Sequence, residues 1–128
     1  LADVVNDFKK NNIRVSLFVN PSIKTLENLG TILTDRVELY TFDYAHYYLK
    51  NKSEAIKSYI DVAKFINIEF PNIEFNAGHD LNLENLEFFL KSIKNIKEVS
   101  IGHALICDTF EFGLEKTIKK YLEITSKI

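Results

Sequence analysis

The sequence predicts an α/β chain of four parallel strand–helix units, the C-terminal half of a TIM (β/α)8 barrel. Three observations carry that reading. Short apolar segments alternate with longer stretches of helical spacing, and such alternation implies a parallel sheet with crossover helices. The strand segments are apolar at one set of alternate positions and polar at the other, whereas a sheet covered by helices on both sides reads apolar on both faces. Two Gly-His pairs, Gly78-His79 and Gly102-His103, each follow a strand, at the rim where such a barrel places its chemistry. A complete barrel typically takes about 250 residues, so a chain of 128 supplies roughly half.

Leu1, Val4, Val5 and Phe8 fall at helical spacing and predict an amphipathic helix over residues 1–11, ending at Asn11-Asn12. Arg14–Val19 follows as a strand, with Val15, Leu17 and Val19 on one face and Ser16, Phe18 and Asn20 on the other. Pro21-Ser22 opens a short helix whose Ile23, Leu26 and Leu29 pack inward, with Gly30 as its stop. Arg36–Thr41 is the second strand, Val37 and Leu39 opposing Glu38 and Tyr40. Phe42–Lys52 reads as an aromatic loop, a lid over the rim or a packing cluster in which His46 is a surface residue. Ser53 caps a long helix to about Asn67.

Ile73–Asn76 is the third strand, followed by the Ala77-Gly78-His79-Asp80 turn. Asn82 caps a helix with Leu83, Leu86, Leu90 and Ile93 on its buried stripe. Val99–Gly102 is the fourth strand, and Asp108 or Thr109 caps a last helix along which Phe110, Leu114, Ile118 and Tyr121 align. The polar strand face carries Ser16, Glu38, Glu74 and Ser100, which suits a barrel interior. A lone half-barrel exposes two strand edges and an apolar face, both aggregation hazards. Residues 1–128 are therefore expected to be the C-terminal half of a single domain whose N-terminal half precedes Leu1.

Composition narrows the partners. A net charge of −2 gives no electrostatic reason to expect nucleic acid. No apolar run approaches the roughly 20 residues that span a bilayer, and no signal-peptide pattern is present, so a cytoplasmic protein without a membrane partner is expected. The single cysteine, Cys107, excludes an internal disulfide and reads as a small buried hydrophobe. The only arginines, Arg14 and Arg36, stand at strand starts, opposite the rim, where their default role is structural. A rim phosphate site must then use backbone N–H groups, histidine or lysine, or borrow arginine from elsewhere.

The candidate site follows from position. His79, one residue past a glycine at a strand end, can give or take a proton near neutral pH; the competing reading is a histidine that hydrogen-bonds the turn. Gly102-His103 follows the last strand, where barrels commonly bind phosphate on bare N–H groups; the competing reading is a tight strand exit. Glu38, mid-strand between Val37 and Leu39, needs a partner or a task if it faces the interior; a structural ion pair is its alternative. Asn76 shares that face, as a ligand-positioning residue or as a satisfier of strand ends, and Glu74 lies deeper as a structural residue. A zinc site from His79, Asp80 and His103 has no metal-spacing motif behind it.

Ser16-Leu17-Phe18-Val19-Asn20-Pro21, Val37-Glu38-Leu39-Tyr40-Thr41, Asn76-Ala77-Gly78-His79, Ile101-Gly102-His103-Ala104-Leu105-Ile106 and Phe112-Gly113-Leu114-Glu115-Lys116 occur in this order. With them the chain resembles the pyridoxine 5'-phosphate synthase family over the C-terminal half of that family's barrel. The resemblance implies a cytoplasmic enzyme of vitamin B6 biosynthesis. It condenses 3-amino-2-oxopropyl phosphate with 1-deoxy-D-xylulose 5-phosphate, needs no metal or organic cofactor, and assembles as a homo-octamer. It also implies that His79 is the proton donor, that Glu38 stabilises the transition state, and that the Asp80 backbone with Gly102 and His103 binds the amino-ketone phosphate.

Asp80 stands where that family has glycine, and Tyr40 and Phe42 stand where it has histidine and glycine. The family's general bases and substrate arginines belong to the other half, so the 128-residue segment alone is expected to be inactive. Two alternatives come from other classes. One is a phosphosugar isomerase or epimerase using the same rim; the other is a non-catalytic barrel remnant kept for binding or assembly.

Overall fold

The computed structural model describes residues 1–127. The elements run α1 (Ala2–Lys10), β1 (Ser16–Val19), α2 (Ile23–Leu26), β2 (Arg36–Tyr40), α3 (Phe42–Ala55), α4 (Lys57–Glu69), β3 (Glu74–Gly78), α5 (Leu86–Ser92), β4 (Ile96–Ser100), α6 (His103–Phe112) and α7 (Leu114–Thr125). The strands form one sheet in the order β1-β2-β3-β4, and every pair is parallel. All strand C-termini therefore meet at one rim, as the strand–helix alternation predicts.

The two strand faces separate as the sequence pattern requires. Val37, Leu39, Phe75 and Ala77 are buried under the helices, against Tyr44, Tyr59, Val62, Ile66, Leu86 and Phe89. Each fully buried large side chain contributes about 1.5–3 kcal/mol relative to exposure, so this outer layer is what holds helices to sheet. The opposite face is polar. Its Cα register aligns Phe18 with Glu38, Glu38 with Asn76, and Asn76 with Glu98.

Side chains on that face nevertheless meet one step further along. Phe18 packs on Tyr40, Arg36 donates to Asn76, and the Glu38 carboxylate lies over Gly78. A two-residue offset between neighbouring strands is what strand tilt in a barrel produces.

Local structure departs from the sequence reading in several places. Residues 42–52 are helical, not a loop: Thr41 precedes α3, which buries Tyr44 and half-buries Ala45 and Tyr48 on one side. The break falls at Asn51, with φ −160° and ψ 90°, and its Oδ1 accepts from the Glu54 N–H. That takes the capping role assigned to Ser53, and the helix expected from 53 to 67 is divided between the end of α3 and α4. Ile23 is exposed, and Gly30 sits inside a 3-10 turn, Leu29–Thr31, not at a helix stop.

The third strand runs to Gly78, and the fourth ends at Ser100, before the Gly-His pair. The last helix starts at His103 without a cap from Asp108 or Thr109, and it breaks at Gly113, whose φ of 81° favours glycine. Asp108 instead accepts a hydrogen bond from the buried Tyr121 at 2.6 Å. Phe110, Leu114 and Ile118 are exposed: Gly113 divides the expected helix in two, α6 buries none of its residues, and α7 turns Thr117 and Tyr121 inward instead. Cys107, on the same unburied α6, is exposed and not a core residue. Asn82 does cap the turn before α5, its Oδ1 accepting from the Glu84 and Asn85 N–H groups at 2.9 and 3.0 Å.

Candidate active site

At the base of the polar face, Arg36 is the hub. Its Nε lies 2.7 Å from Glu74 and its Nη1 2.6 Å from Glu98, and Arg14 reaches Glu98 at 3.0 Å. Asn76 is buried between them, accepting from Arg36 and donating to Glu98 at 3.2 Å. The Arg36 hydrogen bond holds the Glu98 carboxyl below its ordinary range, against a smaller opposing effect of burial and with further help from Arg14. Both arginines are structural, as their strand positions predict, and Asn76 belongs to the same scaffold.

One layer up, Glu38 has no arginine among the described residues. It accepts from the Ser100 hydroxyl at 3.2 Å, and its carboxylate fills the space left by Gly78. Ser100 in turn lines a shallow recess with His79, Asp80, Ile101, Gly102 and His103. The structure thus gathers Glu38, His79, Asp80, Gly102 and His103 around the ends of β3 and β4. Ser100, which bridges the Glu38 layer to the recess, was legible from sequence only as a polar inner-face residue, because its partner lies in another strand.

The turn that carries His79 is held against the backbone's preference. His79 has φ 94° and Asp80 φ 57°, a conformation uncommon for residues other than glycine. Such geometry persists only where the surroundings impose it. Thr41, fully buried, supplies that constraint: its N–H donates to the Gly78 carbonyl at 2.9 Å, and its hydroxyl, with one proton to share, lies within hydrogen-bond reach of the carbonyls of Gly78 and His79 at 2.8 and 2.5 Å. From the other side, the Asn85 amide donates to the Asp80 carbonyl at 3.1 Å.

The Asp80 carboxylate turns toward His79, 3.2 Å from Nδ1, which leaves Nε2 as the ring nitrogen not facing that carboxylate. Gly102 precedes α6 with no side-chain cap on the helix, so the first-turn N–H groups face the recess without a protein acceptor side chain. A Cβ on Gly102 would touch nothing within 4 Å. Among the described residues no three His, Cys, Asp or Glu side chains cluster to hold a metal ion, so the His79–Asp80–His103 zinc grouping does not form.

Four parallel strands with a polar inner face and a side-chain cluster at the C-terminal rim define half of a (β/α)8 barrel. The family model described as "Pyridoxal phosphate biosynthesis protein PdxJ" matches residues 1–127, and the chain belongs to that family. Among curated relatives, a pyridoxine 5'-phosphate synthase from Cytophaga hutchinsonii is 46% identical over 127 residues, covering 99% of this chain and 52% of the relative. Pyridoxine 5'-phosphate synthases from Parabacteroides distasonis and Flavobacterium johnsoniae are 45% and 41% identical over 94% and 96% of this chain, and 50% and 51% of their own lengths. The chain spans about half the length of the curated relatives it matches. No described helix is long and apolar enough to cross a membrane.

Proposed function

We propose that the full-length chain carrying this segment is a pyridoxine 5'-phosphate synthase, and that residues 1–128 are the C-terminal half of its single barrel domain. The reaction is the ring-closing condensation of 3-amino-2-oxopropyl phosphate with 1-deoxy-D-xylulose 5-phosphate, releasing inorganic phosphate and water. His79 delivers a proton from Nε2 to a leaving oxygen, its Nδ1 side being occupied by Asp80. Glu38, oriented by Ser100, stabilises positive charge that develops as the ring closes.

The Asp80 backbone, Gly102 and His103 bind the amino-ketone phosphate, using first-turn N–H groups and the helix dipole of α6. The single observation that carries this reading is the meeting of an acid, a carboxylate and an uncapped helix N-terminus around one recess at the strand ends. The Asp80 carboxylate, at the position where a phosphate-binding turn favours glycine, is taken up by His79.

The missing half supplies the remaining bases and cations, and it covers the apolar side chains left exposed on α1, among them Val4 and Phe8. The isolated segment is therefore inactive, the full-length protein is cytoplasmic, and it assembles as a homo-octamer. The test is formation of pyridoxine 5'-phosphate by the full-length chain from both substrates, beside a His79→Asn variant. Product from the parent with near-loss in the variant is the expected result. Equal product from both removes His79 from its role, and no product from a folded parent overturns the synthase reading in favour of single-substrate phosphosugar chemistry. Turnover by the isolated segment would overturn the division of labour between the halves.

A further inference from the structure

We propose that Tyr40 and Phe42 are positioning residues for His79: both rings pack against its imidazole and restrict the orientations in which it presents its proton. The inference rests on the synthase reading of His79 and adds the residues that orient it. Tyr40 ends β2 on the inner face, and Phe42 begins α3 two residues later. The intervening Thr41 side chain turns inward to hold the Gly78 and His79 carbonyls. The tripeptide Tyr40-Thr41-Phe42 therefore holds the His79 turn by its backbone through Thr41 and its imidazole through the two flanking rings of the tripeptide.

The ring geometry is specific. Tyr40 and Phe42 stack nearly parallel, 10° apart with centroids at 6.0 Å. The His79 imidazole stands close to perpendicular to both, at 79° and 4.7 Å from Tyr40 and at 78° and 5.7 Å from Phe42. Perpendicular contact is a preferred arrangement of aromatic pairs. Two parallel rings share one normal, so tilting the imidazole away from that normal weakens both contacts together, and only a turn about it leaves the perpendicular arrangement intact. The Asp80 carboxylate, 3.2 Å from Nδ1, restricts that remaining turn. Each ring has a further aromatic neighbour: Phe18 packs edge-on to Tyr40 at 5.2 Å, and His46 stacks on Phe42 at 6.0 Å.

The experiment uses the full-length chain with Tyr40→Leu, Tyr40→Phe and Phe42→Leu, each checked by circular dichroism for an intact fold. Tyr40→Leu is expected to lower kcat by about 10²-fold, the scale on which misplacing a reacting group costs rate, with KM for both phosphorylated substrates unchanged. Tyr40→Phe, which keeps the ring, is expected to retain the parental kcat, and Phe42→Leu to fall between the two. The His79 ring-proton resonances, identified by their loss in His79→Asn, are expected to move in Tyr40→Leu as the ring current is removed.

An unchanged kcat in Tyr40→Leu, an equal loss in Tyr40→Phe, or a change confined to KM overturns the proposal. So do His79 resonances that stay in place. Absence of product from the unaltered chain overturns the synthase reading instead; the resonance shift then decides the ring packing by itself.

Discussion

Gly78 leaves open the space that the Glu38 carboxylate occupies: a Cβ at position 78 would overlap Glu38 Oε1 and come within 3.0 Å of Ser100 Cβ. The overlapping atom is the end of a flexible side chain, so the carboxylate moves before the sheet does. Gly78→Ala in the full-length chain is therefore expected to fold while losing turnover by roughly 10²-fold, because it pushes Glu38 off its Ser100 partner. Steady-state rates beside a thermal melt check this. A large loss of stability with rates intact would refute the spatial argument.

Tyr59 joins three elements through one hydroxyl. It accepts from the Tyr44 N–H, in the first turn of α3, at 3.2 Å and donates to the Tyr40 carbonyl at 2.9 Å. Helix first-turn N–H groups lack intrahelical acceptors, so this phenol serves as a cap from a distance. Burial pushes its ionisation up to about 12, with a smaller opposing effect from the Tyr44 N–H, consistent with a neutral donor–acceptor role across the ordinary pH range. Tyr59→Phe leaves both backbone groups without that partner and is expected to cost about 2 kcal/mol. A denaturant titration showing an unchanged midpoint would rule this out.

Asp35 ties α1 and the entry to β1 to the start of β2, accepting from the Val15 N–H at 2.8 Å and from Lys9 at 2.9 Å. The Val15 hydrogen bond, then that of Lys9, depresses its carboxyl below the ordinary value of 3.8. A depressed carboxyl contributes stability that is fully present above its unfolded value and is lost as pH falls through its folded value. Denaturant midpoints measured from neutrality down to below 3.8 should fall less steeply for Asp35→Asn than for the parent. Parallel curves would show that Asp35 carries no share of the acid sensitivity.

Some elements could be read directly and others could not, for physical reasons. Gly78-His79 and Gly102-His103 are visible because glycine and histidine together at a strand end stand out from an alternating apolar pattern. The α3 helix is hidden because its inward side is built from Tyr44 and Tyr48, amphipathic residues that blur helical periodicity, and because Asn51 interrupts it. The exposure of Cys107 is hidden because it lies on α6, a helix that buries none of its residues, which no spacing along the chain reveals. Ser100 was legible only as a polar inner-face residue and Thr41 only as the end of a strand motif, with no local sign of what either would hold. Each matters through a partner at least 37 positions away in sequence, Glu38 for the first and the Gly78 and His79 carbonyls for the second.

By itself the sequence determined the parallel strand–helix order, the apolar outer and polar inner strand faces, and the family motifs that put Glu38 within the second strand and His79 and Gly102-His103 just past strand ends. Those properties are local, set by side-chain periods of two and 3.6 residues and by rare residue types at boundaries. Only the tertiary structure decided that Glu38 meets Gly78 and Ser100, that Thr41 holds His79 at positive φ, and that Tyr40 and Phe42 pack against its imidazole. These contacts arise from strand tilt and from the crossing of chain segments distant in sequence, and no spacing along one strand encodes either.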